Sequence, residues 1–315
     1  MPFASYRPCS LDQLLSLIEE LPPGVKLHAG GTDLMVHLKD ARIEPHSVVD
    51  LSAIEELDFI ARESDTLVIG AMTPFSQLIS HAVLGGPLLA LREASVLIGS
   101  VQIRNRATLA GNICNASPAA DTVPPLVVYG AKARIRSSSD SRTVPVLDFI
   151  TGPGSTVLEA GEFVESVEIP IPKSPSGSAY LRMTRRRSVD LAIVDVAVMI
   201  ADGRVTVSYG AASARPLRGI ASEKLLSSLI AALPAGTEAA GSSTEDPGAP
   251  TAGSVGVALD GWDDRAIKGA VEEDISPISD VRGSKEYRSA MAAVLLKRAF
   301  TLSLQRRELS KEGAP

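Results

Sequence analysis

Leucines at positions 11, 14, 15 and 17 with Ile18 recur at helical spacing behind Ser10, a residue suited to cap a helix, and Pro22-Pro23-Gly24 ends the run. The pattern predicts a helix from Ser10 to Leu21. The apolar stretch from Val25 to Ala29 reads as a strand, Gly30-Gly31 as a turn, Leu34 to Lys39 as a short helix and Ser47 to Leu51 as another strand, one small alternating unit. From Leu57 the pattern restarts. Strand signals stand at Thr66 to Gly70, Leu126 to Tyr129, Ala133 to Arg136 and Phe163 to Ile169, with helices from Thr73 or Pro74 to Ile79 and from Pro87 to Leu97. The stretch from Ile98 to Asp121 has no period and is rich in Gly, Asn, Ser and Pro, yet keeps apolar residues. It reads as an ordered, functional loop. After the Pro-rich connector Pro170 to Gly177, strands from Leu191 to Ile200 and from Arg204 to Tyr209 flank Asp202-Gly203, a hairpin signal. Helices follow from Ser222 to Ala232 and from Ser284 to Gln305, and residues 234–256, rich in Gly, Ser, Ala, Pro and Thr, read as a flexible insertion without chemistry.

These elements give an N-terminal domain over residues 1–173, with lobes of about 1–56 and 57–173, and a C-terminal domain over 178–315. A length of 315 residues, more than one core usually serves, agrees with that division. Hydrophobic residues at 45% and charged residues at 22% place the chain in the globular class. The net charge of -6, with no basic stripe, argues against nucleic acid as a partner. The longest apolar run, Leu191 to Ala201, is broken by Asp195 and has about half of the roughly 20 residues that a membrane span needs. The first residues show no export signal, so the expectation is a cytoplasmic protein. Cys9 and Cys114 form no C-x-x-C pair and cannot build an iron-sulfur cluster, and Cys114 reads as a small buried hydrophobe. His28, His37, His46 and His81 lack metal-ligand spacing, so no metal site is expected.

Two glycine-centred segments carry the candidate chemistry: Leu27-His28-Ala29-Gly30-Gly31-Thr32-Asp33-Leu34, where a strand hands over to a helix, and Thr108-Leu109-Ala110-Gly111-Asn112. Glycine lets main-chain N–H groups approach a bulky anion, and the first N–H groups of a helix are unpaired and partly positive. A single Gly-Gly turn more often only turns the chain. A second such segment points to a shared phosphate cradle.

The motifs AGGTDL, QIRNRATLAGNICNASPAADTVPPL, RRRSVDLAIVDVAV and PISDVRGSKEYR, in this order and covering nearly the whole chain outside 234–256, resemble the FAD-binding medium subunit of molybdenum hydroxylases of the xanthine dehydrogenase and carbon monoxide dehydrogenase type. The resemblance implies an α+β fold: a vanillyl-alcohol-oxidase-type FAD-binding domain of two α/β lobes, followed by a smaller C-terminal domain with a three-stranded antiparallel sheet and helices. It implies FAD on this chain, two-iron two-sulfur clusters on a small partner subunit and molybdopterin on a large one, assembled as a dimer of heterotrimers, with NAD or another electron acceptor. AGGTDL and TLAGN look more like the xanthine and N-heterocycle or aromatic branch than the carbon monoxide branch, the alternative, which tends to have His-Ser after the glycines. A flavin-free scaffold subunit is the reading from another class.

By resemblance, Leu27, His28, Ala29, Gly30, Gly31, Thr32, Asp33 and Leu34 form the first cofactor-binding segment, in which Ala29 to Asp33 wrap the diphosphate; Thr108, Gly111 and Asn112 contact the cofactor from the second segment, and Asn115 and Ser117 lie on the same cofactor-binding loop. Asp121 matches an acid that hydrogen-bonds its sugar-like portion; otherwise it caps or turns the chain before Pro124. Ile98, Gly99 and Val164 match positions beside the flavin ring, and all three types are also ordinary in cores. Arg182 and Asp190 match residues that reach the cofactor or pack near the ring, while Arg185 and Arg186 fit a solvated or subunit-facing charge run. No residue is expected to act as an acid, base or nucleophile, because electron transfer asks the protein to hold and tune the ring.

Overall fold

The computed structural model describes residues 3–186, 188–232 and 263–312. Arg187 and the proposed insertion at 234–256 lie outside the described residues.

The first unit comprises β1 (Ala4–Tyr6), α1 (Leu11–Glu20), β2 (Lys26–His28), α2 (Leu34–Lys39) and β3 (Ser47–Asp50). Its strands pair in parallel in the order β1-β3-β2. The Ser10 hydroxyl accepts from the Gln13 N–H, so α1 starts where the capping residue predicts. Leu14 of α1 packs with Val49, Leu51, Ile54 and Leu57. Parallel pairing directs the C-terminal ends of β2 and β3 to one edge, where the glycine turn begins.

The second unit holds β4 (Ile60–Glu63), β5 (Thr66–Gly70), α3 (Phe75–Ser80), α4 (Leu89–Val96), α5 (Val101–Arg104), α6 (Leu109–Asn115), α7 (Val123–Val128), β6 (Lys132–Arg136), β7 (Ser141–Pro145), α8 (Val146–Phe149), β8 (Ile150–Gly152), β9 (Ser155–Thr156) and β10 (Phe163–Pro170). An antiparallel sheet in the order β4-β5-β10-β6-β7 supports the helices, and β8 and β9 form a separate ribbon. Two expectations are corrected here. Residues 126–129 are the end of α7 and a cap, not a strand, because Pro124 and Pro125 lack N–H donors and are tolerated in a first helical turn but not in a ladder. The stretch from Ile98 to Asp121 is not irregular throughout: α5 and α6 occupy it, started by the side-chain caps Ser100 and Thr108.

The third unit contains β11 (Ser176–Met183), β12 (Val194–Ala201), β13 (Arg204–Gly210), β14 (Leu217–Arg218), α9 (Ile220–Ala232), α10 (Asp264–Asp274) and α11 (Lys285–Glu312). Three long antiparallel strands carry β14 as a short edge. β11 starts inside the segment read as a connector. Alternation sorts the two faces of this sheet. Ala179, Val194, Val196 and Val198 join the core with Leu296 and Phe300 of α11, while Tyr180 and Ala197 face the other way, into the core of the second unit. Polar links cross that second face: Tyr129 OH and Ser178 Oγ are 2.6 Å apart, and Glu93 accepts from the Tyr180 N–H at 2.8 Å.

Candidate functional site

β2 passes into α2 through a turn in which Gly31 has φ +72°, a conformation that disfavours any Cβ. The main-chain N–H groups of Gly30, Gly31, Thr32, Asp33 and Leu34 donate to no acceptor among the described residues. Asp33 occupies the cap position of α2 without a side-chain capping bond, and the Thr32 hydroxyl donates to Asp33 Oδ2 at 3.3 Å. Successive free N–H groups around a residue of positive φ form an anion nest.

His28 lies beneath this turn. Its Nδ1 is 3.2 Å from Asp50 Oδ1, and a Cβ on Gly31 would stand 2.2 Å from its Nε2. Burial pushes the Asp50 carboxyl up, but hydrogen bonds from the Ser52 N–H and hydroxyl and from His28 outweigh it and hold the acid below its ordinary range.

The second segment meets the first directly. A Cβ on Gly30 would stand 2.1 Å from the Arg106 carbonyl oxygen and 2.8 Å from Ala107 Cα, and one on Gly111 would lie 4.0 Å from Ala29 Cβ. Main chain abuts main chain. The buried Thr108 hydroxyl accepts from the Gly111 N–H at 3.0 Å and caps α6. Thr108, Gly111, Asn112 and Asn115 stand at i, i+3, i+4 and i+7, on one face of the helix, while Leu109, Ala110 and Ile113 bury the other. Ala110 is helical and needs no positive φ. Asn112 Oδ1 accepts from the Thr122 hydroxyl at 2.6 Å, and Ser117 Oγ accepts from the Ala119 N–H at 3.3 Å in the loop after α6. Thr108→Ala removes the cap and is expected to cost about 1 kcal/mol in urea denaturation, with the fold retained.

Asp121 lies in the turn before α7, whose cap position Thr122 takes. Its carboxylate accepts from Arg182 Nη1 at 2.8 and 2.9 Å and from Tyr180 OH at 2.6 Å. The Asp121 and Arg182 side chains are 10% and 8% exposed, so the pair is buried. Burial raises the Asp121 pKa, with Arg182 and the Tyr180 hydroxyl opposing the shift.

Gly99 has φ +45°, and the Ile98 and Gly99 carbonyls both accept from Arg104 Nη1, at 2.9 and 3.1 Å. Val164 is 4% exposed and packs in the core of the second unit beside a bulge in β10. Asp190 closes its own loop by accepting from the Leu191 N–H and pairing with Arg186; Arg185 donates to the Val281 carbonyl. Burial pushes the Cys114 thiol up to about 12, which makes it inert as a thiolate.

Tyr180, Arg104, Asp50, Thr122 and Asp195 escaped the sequence reading. Tyr180 follows the segment read as a connector, in a stretch where no strand was expected. Asp195 did leave a signal: it is the one acid within the run Leu191 to Ala201.

Among the described residues no helix is long and apolar enough to cross a membrane, and no His, Cys, Asp and Glu cluster could hold a metal ion. Residues 1–172 match the model for the FAD binding domain in molybdopterin dehydrogenase, and residues 261–302 that for the CO dehydrogenase flavoprotein C-terminal domain. The chain is 31% identical over 307 residues to a xanthine dehydrogenase FAD-binding subunit of Escherichia coli, covering 95% of each. It is 32% identical over 302 residues to the carbon monoxide dehydrogenase medium chain of Afipia carboxidovorans, covering 94% of this chain and 95% of that one. Among solved structures, reconstituted CO dehydrogenase from Oligotropha carboxidovorans superposes with a TM-score of 0.81 at 30% identity, covering 97% of this chain and 99% of that chain. Quinoline 2-oxidoreductase from Pseudomonas putida gives 0.79 at 25% identity, covering 98% and 99%. The chain belongs to the FAD-binding medium subunits of the molybdenum hydroxylases.

Proposed function

We propose that FAD lies with its diphosphate in the nest of residues 29–34 and along the Thr108, Gly111, Asn112 face of α6. The carrying observation is the run of unpaired N–H groups from Gly30 to Leu34 set directly against the second glycine segment. That cradle fits a dinucleotide diphosphate, since successive main-chain N–H groups from Gly30 to Leu34 find no acceptor among the described residues. Asn115, Ser117 and Asp121 extend it toward the sugar portion, with Arg182 and Tyr180 holding Asp121. Ile98 and Gly99, pinned by Arg104, stand beside the exposed Leu97, Val101 and Ile103, an apolar surface suited to a flat ring. Asp190 borders this region in our reading, and Val164 supports it from the core.

Bound FAD supplies an acceptor for electrons arriving from a neighbouring cluster. This chain binds it, orients it and leaves one edge open; we name no acid, base or nucleophile. Two-iron clusters and molybdopterin sit on partner subunits, NAD or another compound is the final acceptor, and residues 1–173 and 178–315 form the two domains. Thr32-Asp33 after the glycines favours an N-heterocycle or aromatic substrate on the large subunit.

Titrating the purified full-length chain with FAD is expected to give one flavin per chain by absorbance, with fluorescence quenching. A chain that binds no flavin would turn the reading to the scaffold alternative.

A further inference from the structure

Asp195 is completely buried, and neither carboxyl oxygen makes a hydrogen bond of normal geometry among the described residues. An unpaired buried carboxylate is costly, so such a group needs a proton or a counter-charge. Its surroundings show where both could come from. In the β11–β12 ladder Asp195 stands directly opposite Arg182, on the same sheet face, and in the β12–β13 ladder it stands opposite Gly210. Gly210 makes room for it: a Cβ there would stand 2.3 Å from Asp195 Oδ1. The titratable and charged groups facing Asp195 are Arg182 and Tyr180 from β11 and Asp121 from the loop before α7; β13 presents only the Gly210 main chain. One guanidinium therefore stands between two buried acids.

We propose that Asp195 is a positioning residue of the FAD site, the third member of the Asp121–Arg182 pair, which governs how Arg182 is shared between the two carboxyls. The inference rests on the FAD reading for its consequence. Burial first, and then the nearby Asp121, raise the Asp195 pKa well above its ordinary value against the pull of Arg182. Asp195 thus keeps its proton while Asp121 holds Arg182. Once Asp195 ionises, it competes for the guanidinium and loosens Asp121.

The sign follows. The folded state holds a proton that the unfolded chain releases above about pH 4, so wild-type stability falls as pH rises from there toward the folded pKa. Asp195→Asn keeps the shape without the titration. In the FAD-free full-length chain, its melting temperature is expected to match wild type near pH 4.5 and to exceed it by several degrees near pH 8. In FAD titrations, the wild-type dissociation constant is expected to rise roughly threefold or more toward alkaline pH, and that of Asp195→Asn to stay flat. Parallel stability profiles, or the same alkaline weakening in both proteins, would overturn the proposal. If wild type bound no FAD at any pH, the functional reading would fall while the melting profiles still decided the state of Asp195. Should Asp195→Asn not fold, infrared spectroscopy of wild type serves instead: a protonated-carboxyl stretch that persists above the ordinary aspartate range of about pH 4 supports the proposal, and its absence there overturns it.

Discussion

Gly30→Ala is expected to abolish stoichiometric FAD retention and to destabilise the chain. The added Cβ would meet the Arg106 carbonyl oxygen at 2.1 Å and the Ala107 Cα at 2.8 Å, both main chain, so no rotamer change relieves the contact. Overpacking of this kind costs about 1–3 kcal/mol. If all of it is expressed on binding, the loss is roughly 5- to 150-fold in affinity, because the two halves of the cradle must part. Gly31→Ala makes a useful contrast. Its Cβ meets the His28 ring, a side chain that can swing away, and the φ of +72° adds a cost of about 1–2 kcal/mol for an L-residue. Gly31→Ala combined with His28→Ala is therefore expected to recover part of the loss, whereas no side-chain deletion rescues Gly30→Ala. Flavin absorbance after gel filtration and urea denaturation check both statements; Gly30→Ala protein that keeps one flavin per chain would refute the placement.

The meeting of the two glycine segments was legible in the sequence because glycines do their work through the main chain, and Gly30 marks a place where another backbone comes close. Periodicity also exposed α1, the hairpin of β12 and β13, and most of α11. It missed α6 even though Thr108, Gly111, Asn112 and Asn115 keep helical spacing, since a run of Asn, Gly and Ser reads as loop composition. The run Val123 to Val128 is buried all round, and such a run has the same composition in a helix or a strand; only the prolines separated the two. Tyr180 and Arg182 alternate with Ala179 and Leu181 as a strand should, but prolines and glycine just upstream hid the strand start. The identity of Asp121's partner could not be read at all. It depends on β11 packing across the loop before α7, a long-range contact with no local signal.

That partner decides the second large effect. Arg182→Met is expected to cost about 3–5 kcal/mol at pH 7, because it leaves Asp121 and Asp195 buried with no cation beside them. Both acids then remain protonated in the folded state, so the variant binds more protons folded than unfolded above about pH 4. Its deficit against wild type grows as pH rises and shrinks in acid. Asp121→Asn behaves differently: Arg182 loses one carboxylate but keeps Asp195 across the strand, which ionises to answer it. The cost is expected to fall below that of Arg182→Met, and adding Asp195→Asn to Asp121→Asn is expected to restore the full penalty by leaving the guanidinium alone. Urea denaturation at pH 5 and pH 8 of the two single variants and the Asp121→Asn, Asp195→Asn double variant measures the asymmetry. Equal, pH-independent losses in all three would mean that the cluster acts through shape alone. Unequal losses in the order given would mean that charge holds the β11 strand against the loop of Asp121, and with it the sugar end of the proposed FAD cradle.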